Sequence, residues 1–165
     1  AARTVRYSFK LYDDKNTLIT ERTGSTFLGP MGRTAIVETL IETGNVVPAI
    51  TRFSILPPLP WEKISTDFSQ VVIKTDRTLL EPYPGGTRLT ATVENTARYS
   101  FTNLDVVAVL YDKDDNAITT SKAYVASLPG ESSQIVYFTW PFTMPVPIVR
   151  IEIIPRFNPF TAVPL

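Results

Sequence analysis

Between Arg88 and Val93 the apolar residues Leu89, Ala91 and Val93 alternate with Arg88, Thr90 and Thr92. A period of two puts successive side chains on opposite faces, so this segment reads as a strand with one buried and one wet face. Alternating or continuous apolar runs bounded by turn residues predict further strands near Ser69 to Lys74, Leu104 to Tyr111, Ala117 to Ala126, Ser133 to Thr139 and Pro147 to Ile154. Pro84-Gly85-Gly86 and Pro129-Gly130-Glu131 predict the turns between them. Strands this short need a second sheet to cover them, and their spacing predicts a sandwich of two antiparallel sheets.

The pattern occurs twice. Phe9-Lys10-Leu11-Tyr12-Asp13 and the polar turn after it match Ala108-Val109-Leu110-Tyr111-Asp112, so that Asp13 falls on Asp112 at an offset of 99. After a one-residue slip, an offset of 98 pairs Gly32 with Gly130, Ile50 with Ile148, Arg52 with Arg150 and Pro57 with Pro155. Both copies are expected to end in a strand closed by proline, which has no N–H for a continuing ladder. Ala1 falls on Ser100, so the first copy has no counterpart of the strands near Ser69 to Lys74 and Thr87 to Glu94. The simplest expectation is a fragment whose upstream part is cleaved or left out. The alternative is a neighbouring chain that supplies the strands by β-augmentation.

The expected fold is therefore all-β: two tandem immunoglobulin- or fibronectin-like antiparallel sandwiches, the first without its N-terminal strands. The boundaries read as 1–57 for the incomplete first repeat, 58–66 for a proline-rich linker, 67–156 for the complete repeat and 157–165 for an apolar tail. Pro57-Pro58-Leu59-Pro60-Trp61 reads as a stiff connector. Fourteen prolines against seven glycines support strands joined by proline-shaped turns.

Composition then narrows the chemistry. Sixteen basic and sixteen acidic residues cancel, leaving no net field to gather nucleic acid or an anionic membrane surface. With neither cysteine nor histidine, disulfides, thiol nucleophiles, Ser-His-Asp triads and thiolate or imidazole metal sites are excluded. No apolar run approaches the roughly 20 residues that span a bilayer, so this segment is not expected to insert in a membrane.

The Phe/Ala-x-Leu-Tyr-Asp element, followed by Ser127-Leu128-Pro129-Gly130-Glu131-Ser132 and the aromatic strand Val136-Tyr137-Phe138-Thr139-Trp140, resembles the FxLYD family of immunoglobulin-like domains. Residues 9–13 match its signature in full, and Ala108 replaces the phenylalanine in the second copy. The strings Arg88 to Val93, Val106 to Asp112, Phe138 to Pro141 and Arg150 to Arg156 are similar to the exterior tandem-repeat region of single-pass membrane proteins of reduced-genome bacteria. The likeness implies an extracytoplasmic, cell-surface segment with its anchor upstream, and no established activity.

Individual sites give less. Asp112, Asp114 and Asn116 stand at positions one, three and five of a calcium-like loop, but Ala117 and Ala123 fall where glycine and a bidentate glutamate belong. The turn reading is the simpler one. Trp61, Trp140, Tyr124, Tyr137, Phe138 and Phe142 offer aromatic faces for a carbohydrate platform, although core packing is their commoner fate. No catalytic residues converge, and no cofactor is implied. The expected function is a non-enzymatic structural or adhesion module whose partner is protein, either itself or an envelope protein. The alternative is a self-assembling subunit with an acceptor edge at Val5, Tyr7, Phe9 and Leu11 and a docking tail carrying Phe157, Phe160, Val163 and Leu165. A carbohydrate-binding module comes third.

Overall fold

A computed structural model describes residues 1–29, 33–64 and 73–164, with the side chains of Asp76 and Arg77 set aside. The chain is all-β with several antiparallel sheets and, among the described residues, no α-helix. It divides into two compact units, Ala1–Met31 with Glu38–Ser65 and Gly32–Val37 with Thr66–Leu165.

Unit 1 is built on one three-stranded sheet. Its strands are β1 (Ala2–Tyr12), β2 (Leu18–Leu28) and β3 (Ile50–Leu56), in the order β2-β1-β3. β1 pairs with β2 through most of its length and with β3 from Arg6 to Tyr12. By the pleat, Val5, Tyr7, Phe9 and Leu11 share one face with Phe53 and Ile55 of β3, while Arg6, Ser8, Lys10 and Tyr12 share the other. Part of the expected linker belongs to this unit: Ala2 bridges Trp61, and the Glu62 N–H donates to the Ala1 carbonyl at 2.8 Å.

Unit 2 carries two antiparallel sheets. In the first, β6 (Tyr99–Tyr111) lies between β7 (Ala117–Leu128) and β9 (Arg150–Arg156), with the short β10 (Val163–Pro164) continuing along the β9 side. In the second, β5 (Gly86–Asn95) lies between β4 (Ile73–Tyr83) and β8 (Ser132–Trp140). Leu89, Ala91, Val93, Val136, Phe138 and Trp140 from the second sheet are buried, as are Leu104, Val106, Ala108 and Leu110 of β6 and Val125 of β7. The two sheets close on a common apolar core in a sandwich-like arrangement, and Trp140 Nε1 donates to the Thr120 carbonyl of β7 at 3.1 Å.

Buried Asn95 ties the end of β5 into this core. Its amide nitrogen donates to the carbonyls of Tyr99 (2.7 Å), Leu128 (3.3 Å) and Pro129 (3.1 Å), and its oxygen accepts from the Ala97 N–H at 3.0 Å. A fully buried amide is tolerated because all of its hydrogen-bonding capacity but one lone pair is used.

Two expected elements differ from those observed. The strand expected at Ser69 to Lys74 lies partly outside the described residues, and β4 continues from it to Tyr83 through Pro82. Among the described residues β4 pairs on one side only, so proline's missing N–H interrupts no ladder there. The second is the closing strand: Pro155 does not end β9, because Arg156 still pairs with Asp105. Among the described residues β9 is also paired on one side only.

Candidate interaction surface

The sheet of unit 1 and the sheet β7-β6-β9 of unit 2 share their strand order and the turn between their first two strands. Asp13 Oδ1 accepts from the N–H groups of Lys15 (2.9 Å) and Thr17 (2.7 Å), and Asp112 Oδ1 accepts from those of Asp114 (2.9 Å) and Asn116 (2.9 Å). Asn16 and Asp115 take the left-handed conformation in the two turns, with φ of 61° and 63°. Short polar side chains tolerate that region and compete for local backbone donors. A tyrosine precedes each aspartate, and an arginine from the closing strand stacks on it. Arg52 sits 4.7 Å from the Tyr12 ring centroid and Arg150 3.4 Å from that of Tyr111. Each arginine then reaches its turn: Arg52 donates to Asn16 Oδ1 at 2.8 Å, and Arg150 Nε to Asp115 Oδ1 at 2.9 Å.

What differs is the apolar face. In unit 1, Phe9 and Phe53 pack with ring centroids 5.0 Å apart and Tyr7 meets Phe9 edge-on at 5.9 Å. Tyr7 is nearly buried, its hydroxyl donating to Glu38 Oε1 at 2.5 Å while Arg22 Nε donates to Glu38 Oε2 at 2.9 Å. Phe53 and Ile55 remain 45% and 43% exposed. This aromatic and aliphatic strip, rimmed by the Arg22–Glu38 pair, is an apolar patch of the kind that marks an interaction surface.

The expected acceptor residues Val5, Tyr7, Phe9 and Leu11 all lie on this face. They do not form an edge. β1 is the central strand, both of its backbone sides are paired from Arg6 to Tyr12, and among the described residues the open edges belong to β2 and β3. A strand cannot add beside a backbone whose N–H and C=O groups are already used, so Tyr7, Phe9 and Leu11 offer side chains only.

The tail is also engaged. Phe157 packs on Phe101 with centroids 4.9 Å apart, Pro159 is buried in a 3₁₀ turn (Pro159–Thr161), and Val163 pairs with Ser100 of β6. Phe160 starts that turn with its N–H on Asn158 Oδ1 at 3.0 Å; Leu165 lies outside the described residues. The docking site of this tail is unit 2 itself.

At the calcium-like turn, Asp112 Oδ2 accepts from the Asn116 amide at 3.0 Å and Asp114 is held by Lys113 at 2.8 Å. The Asn116 side-chain bond, followed by the backbone bonds, holds the Asp112 carboxyl below its ordinary value of 3.8. Bonds from the turn's donors favour the charged form of this carboxylate. Among the described residues no group of three or more acidic side chains gathers as a metal cage.

The aromatic residues separate by face. Trp140 is 4% exposed and Phe138 is in the core, whereas Tyr124 and Tyr137 are open. On the outer face of β4-β5-β8, Arg88 lies over the rings of Tyr83 (4.9 Å) and Tyr137 (5.8 Å) and bonds Glu81. The candidate platform therefore loses Trp140, and the guanidinium takes one face of each of these two tyrosines. Sequence reasoning missed Tyr83 and Arg88, which become neighbours only through the β4-β5-β8 register. It also missed Asn95, whose carbonyl partners Leu128 and Pro129 lie far along the chain at the end of β7. Comparison with protein-family models, with curated proteins and with solved structures finds no match.

Proposed function

We propose that the chain is a non-enzymatic interaction module of tandem immunoglobulin-like domains of the FxLYD kind, displayed on the exterior of a cell membrane to hold a protein partner. The observation that carries the reading is the half-exposed pair Phe53 and Ile55, packed beside Phe9. Large apolar side chains grouped on a sheet face and left half-exposed are characteristic of binding surfaces. The tandem reading is supported by the shared strand order, the shared aspartate turn and the shared tyrosine–arginine stack. The exterior location is supported by the resemblance of residues 88–93, 106–112, 138–141 and 150–156 to exterior repeat regions.

A photo-crosslinking residue in place of Phe53, tested on intact source cells, examines both parts. The expected result is one dominant adduct with an envelope protein, and modification of the chain by a membrane-impermeant amine label. Protection from the label while an exterior control is modified would overturn the location. Adduct formation unchanged by Ile55→Lys would remove the strip from the binding role.

A further inference from the structure

β4 and β5 are joined by the two-residue turn Pro84-Gly85, with Tyr83 opposite Gly86 and Gly85 at φ 85°. A two-residue hairpin closes on a hydrogen-bonded pair, and such pairs alternate with non-bonded ones along an antiparallel ladder. Tyr83, Glu81 and Leu79 therefore spend their N–H and C=O groups on β5. Pro82, opposite Thr87, and Leu80, opposite Leu89, turn theirs the other way. Proline at position 82 agrees with this parity, since its missing N–H falls where β5 needs no donor. Among the described residues no strand pairs with that side of β4, so Leu80 presents a free N–H and C=O at a sheet edge.

Beside the same stretch lies a cavity of about 230 Å³, walled by Leu80 and Pro82 of β4, Gly86 and Thr87 of β5, and Thr143 and Met144 beyond β8. The chain leading to Thr143 is held under β5. Thr87 Oγ1 donates to the Phe142 carbonyl at 3.0 Å, and the Trp140 carbonyl runs so close to Gly86 that a Cβ would have no room there. An apolar cavity of roughly 150 Å³ takes up benzene, so this one has room for a single Leu, Met or Phe side chain.

Edge and cavity share one parity. In an antiparallel pair, the residue that exchanges both bonds with Leu80 carries its side chain on the same face as that of Leu80. This is the face of buried Leu89, and Leu80 and Pro82 wall the cavity from it. We propose that unit 2 binds an extended segment of another polypeptide, added antiparallel beside Leu79 to Pro82, with one Leu, Met or Phe side chain opposite Leu80 seated in the cavity. The residues flanking that side chain turn to the outer face, where Leu79 is exposed and Arg88 is already paired with Glu81, so no charge is asked of them. A second copy pairing β4 with β4 would bring only Leu80 and Pro82 to the place, and these already wall their own cavity. The mode is strand addition, in which main-chain bonds supply affinity and a pocket for an alternate side chain supplies specificity. All of its residues belong to unit 2, so it stands or falls apart from the Phe53 and Ile55 surface.

The test titrates the heptapeptide acetyl-Lys-Thr-Thr-Leu-Thr-Thr-Lys-amide, and forms with Met, Phe, Ala or Asp in the centre, into the isotope-labelled 165-residue chain. The expected result is saturable binding with Leu, Met or Phe. Affinity should fall about tenfold or more with Ala or Asp, and equally when the central Leu is N-methylated and can no longer donate to the Leu80 carbonyl. Amide exchange at Leu80 should slow about tenfold or more on binding, while that at Glu81, already bonded to β5, changes little. Met144→Trp, which fills the cavity, should weaken binding about tenfold, and Ile135→Lys, on the outer face of β8, should leave it unchanged. The peptide-side changes need no protein variant, so they decide the matter even where Met144→Trp does not fold. Absence of binding by every apolar-centred peptide at its solubility limit, or binding indifferent to the central residue, would overturn the proposal. Binding that leaves Leu80 exchange unaltered would show side-chain capture without strand addition and overturn it as well. Self-association that protects the Leu80 amide without peptide would assign the edge to a second copy, with the same consequence.

Discussion

The sheet β2-β1-β3 keeps Phe53 and Ile55 half-open on the face where β7-β6-β9 buries Val106, Ala108 and Leu110 under a second sheet. Everything local is shared by the two: the aspartate turn, the left-handed residue before its end, the tyrosine and its arginine. The difference lies in the opposing layer, and it shows in the side chains chosen for the face. Tyr7 stands opposite Gly24 in unit 1, and Val106 stands opposite Ala123 at the corresponding positions of unit 2. A β-half of this kind is specified by short-range chemistry, while the sizes of its inward side chains answer to whatever covers it.

The widest gap should appear between truncations at the two faces. Phe138→Ala removes a fully enclosed ring from unit 2 and should cost about 3–5 kcal/mol, the range for large cavities in closed cores. Phe53→Ala, whose ring is already half-hydrated, should cost about 1 kcal/mol. Denaturant unfolding followed by Trp140 emission and by backbone circular dichroism measures the pair. Equal losses would mean that the strip of unit 1 is as well packed as the core of unit 2. Asn95→Ala comes next, at roughly 2–4 kcal/mol, because three backbone carbonyls and one N–H lose a buried partner together. The partners of Asn95 all lie in unit 2, so the transition of unit 1 should not move.

Much of the local chemistry was legible because it is written in adjacent residues. Leu-Tyr-Asp followed by a polar turn announced both hairpins, and the alternation at 88–93 announced the buried face of β5. The ladder register of the closing strands was not legible. Matching Arg52 to Arg150 uses an offset of 98, yet Ile50 lies opposite Tyr12 and Arg150 opposite Tyr111, an offset of 100. A shift of two residues leaves every side chain on its own face, so apolar patterning cannot detect it. Both arginines still reach their tyrosines, by a diagonal path in unit 1 and a direct one in unit 2. The central position of β1 was hidden for another reason. A central strand and an edge strand can carry the same alternation, and only the pairing partners tell them apart.

The Tyr7–Gly24 pair offers a smaller and more pointed test of the covering-layer argument. A Cβ at Gly24 would fall 2.5 Å from Tyr7 Cζ, and that ring is held by Glu38. Gly24→Ala should therefore destabilise unit 1 by about 1–3 kcal/mol through overpacking. Adding Tyr7→Val recreates the Val106–Ala123 combination and should recover part of that loss, giving a coupling of about 1 kcal/mol between the two sites. Strict additivity in thermal unfolding would show that the ring does not rest on the glycine.

The finest difference between the halves is electrostatic and sits in their turns. Asp112 receives a side-chain bond from Asn116, where the first turn has Thr17 in the matching place. Its carboxyl is held below 3.8 in the folded chain, so near that pH the unfolded chain binds more protons than the folded one. The resulting stabilisation is complete above the ordinary aspartate value and is lost as pH falls through the lowered folded value. Asp112→Asn keeps an oxygen for the two backbone donors and gives up the charge. The stability gap between wild type and this variant should accordingly be present well above 3.8 and should close as the pH falls below it. Asn116→Thr gives the second turn the residue found in the first and removes the largest cause of the shift, so it should narrow the same gap without unfolding the hairpin. Parallel acid curves for wild type and Asp112→Asn would show that the turn is held by its backbone geometry alone, and the two hairpins would then be equivalent in charge as well as in form.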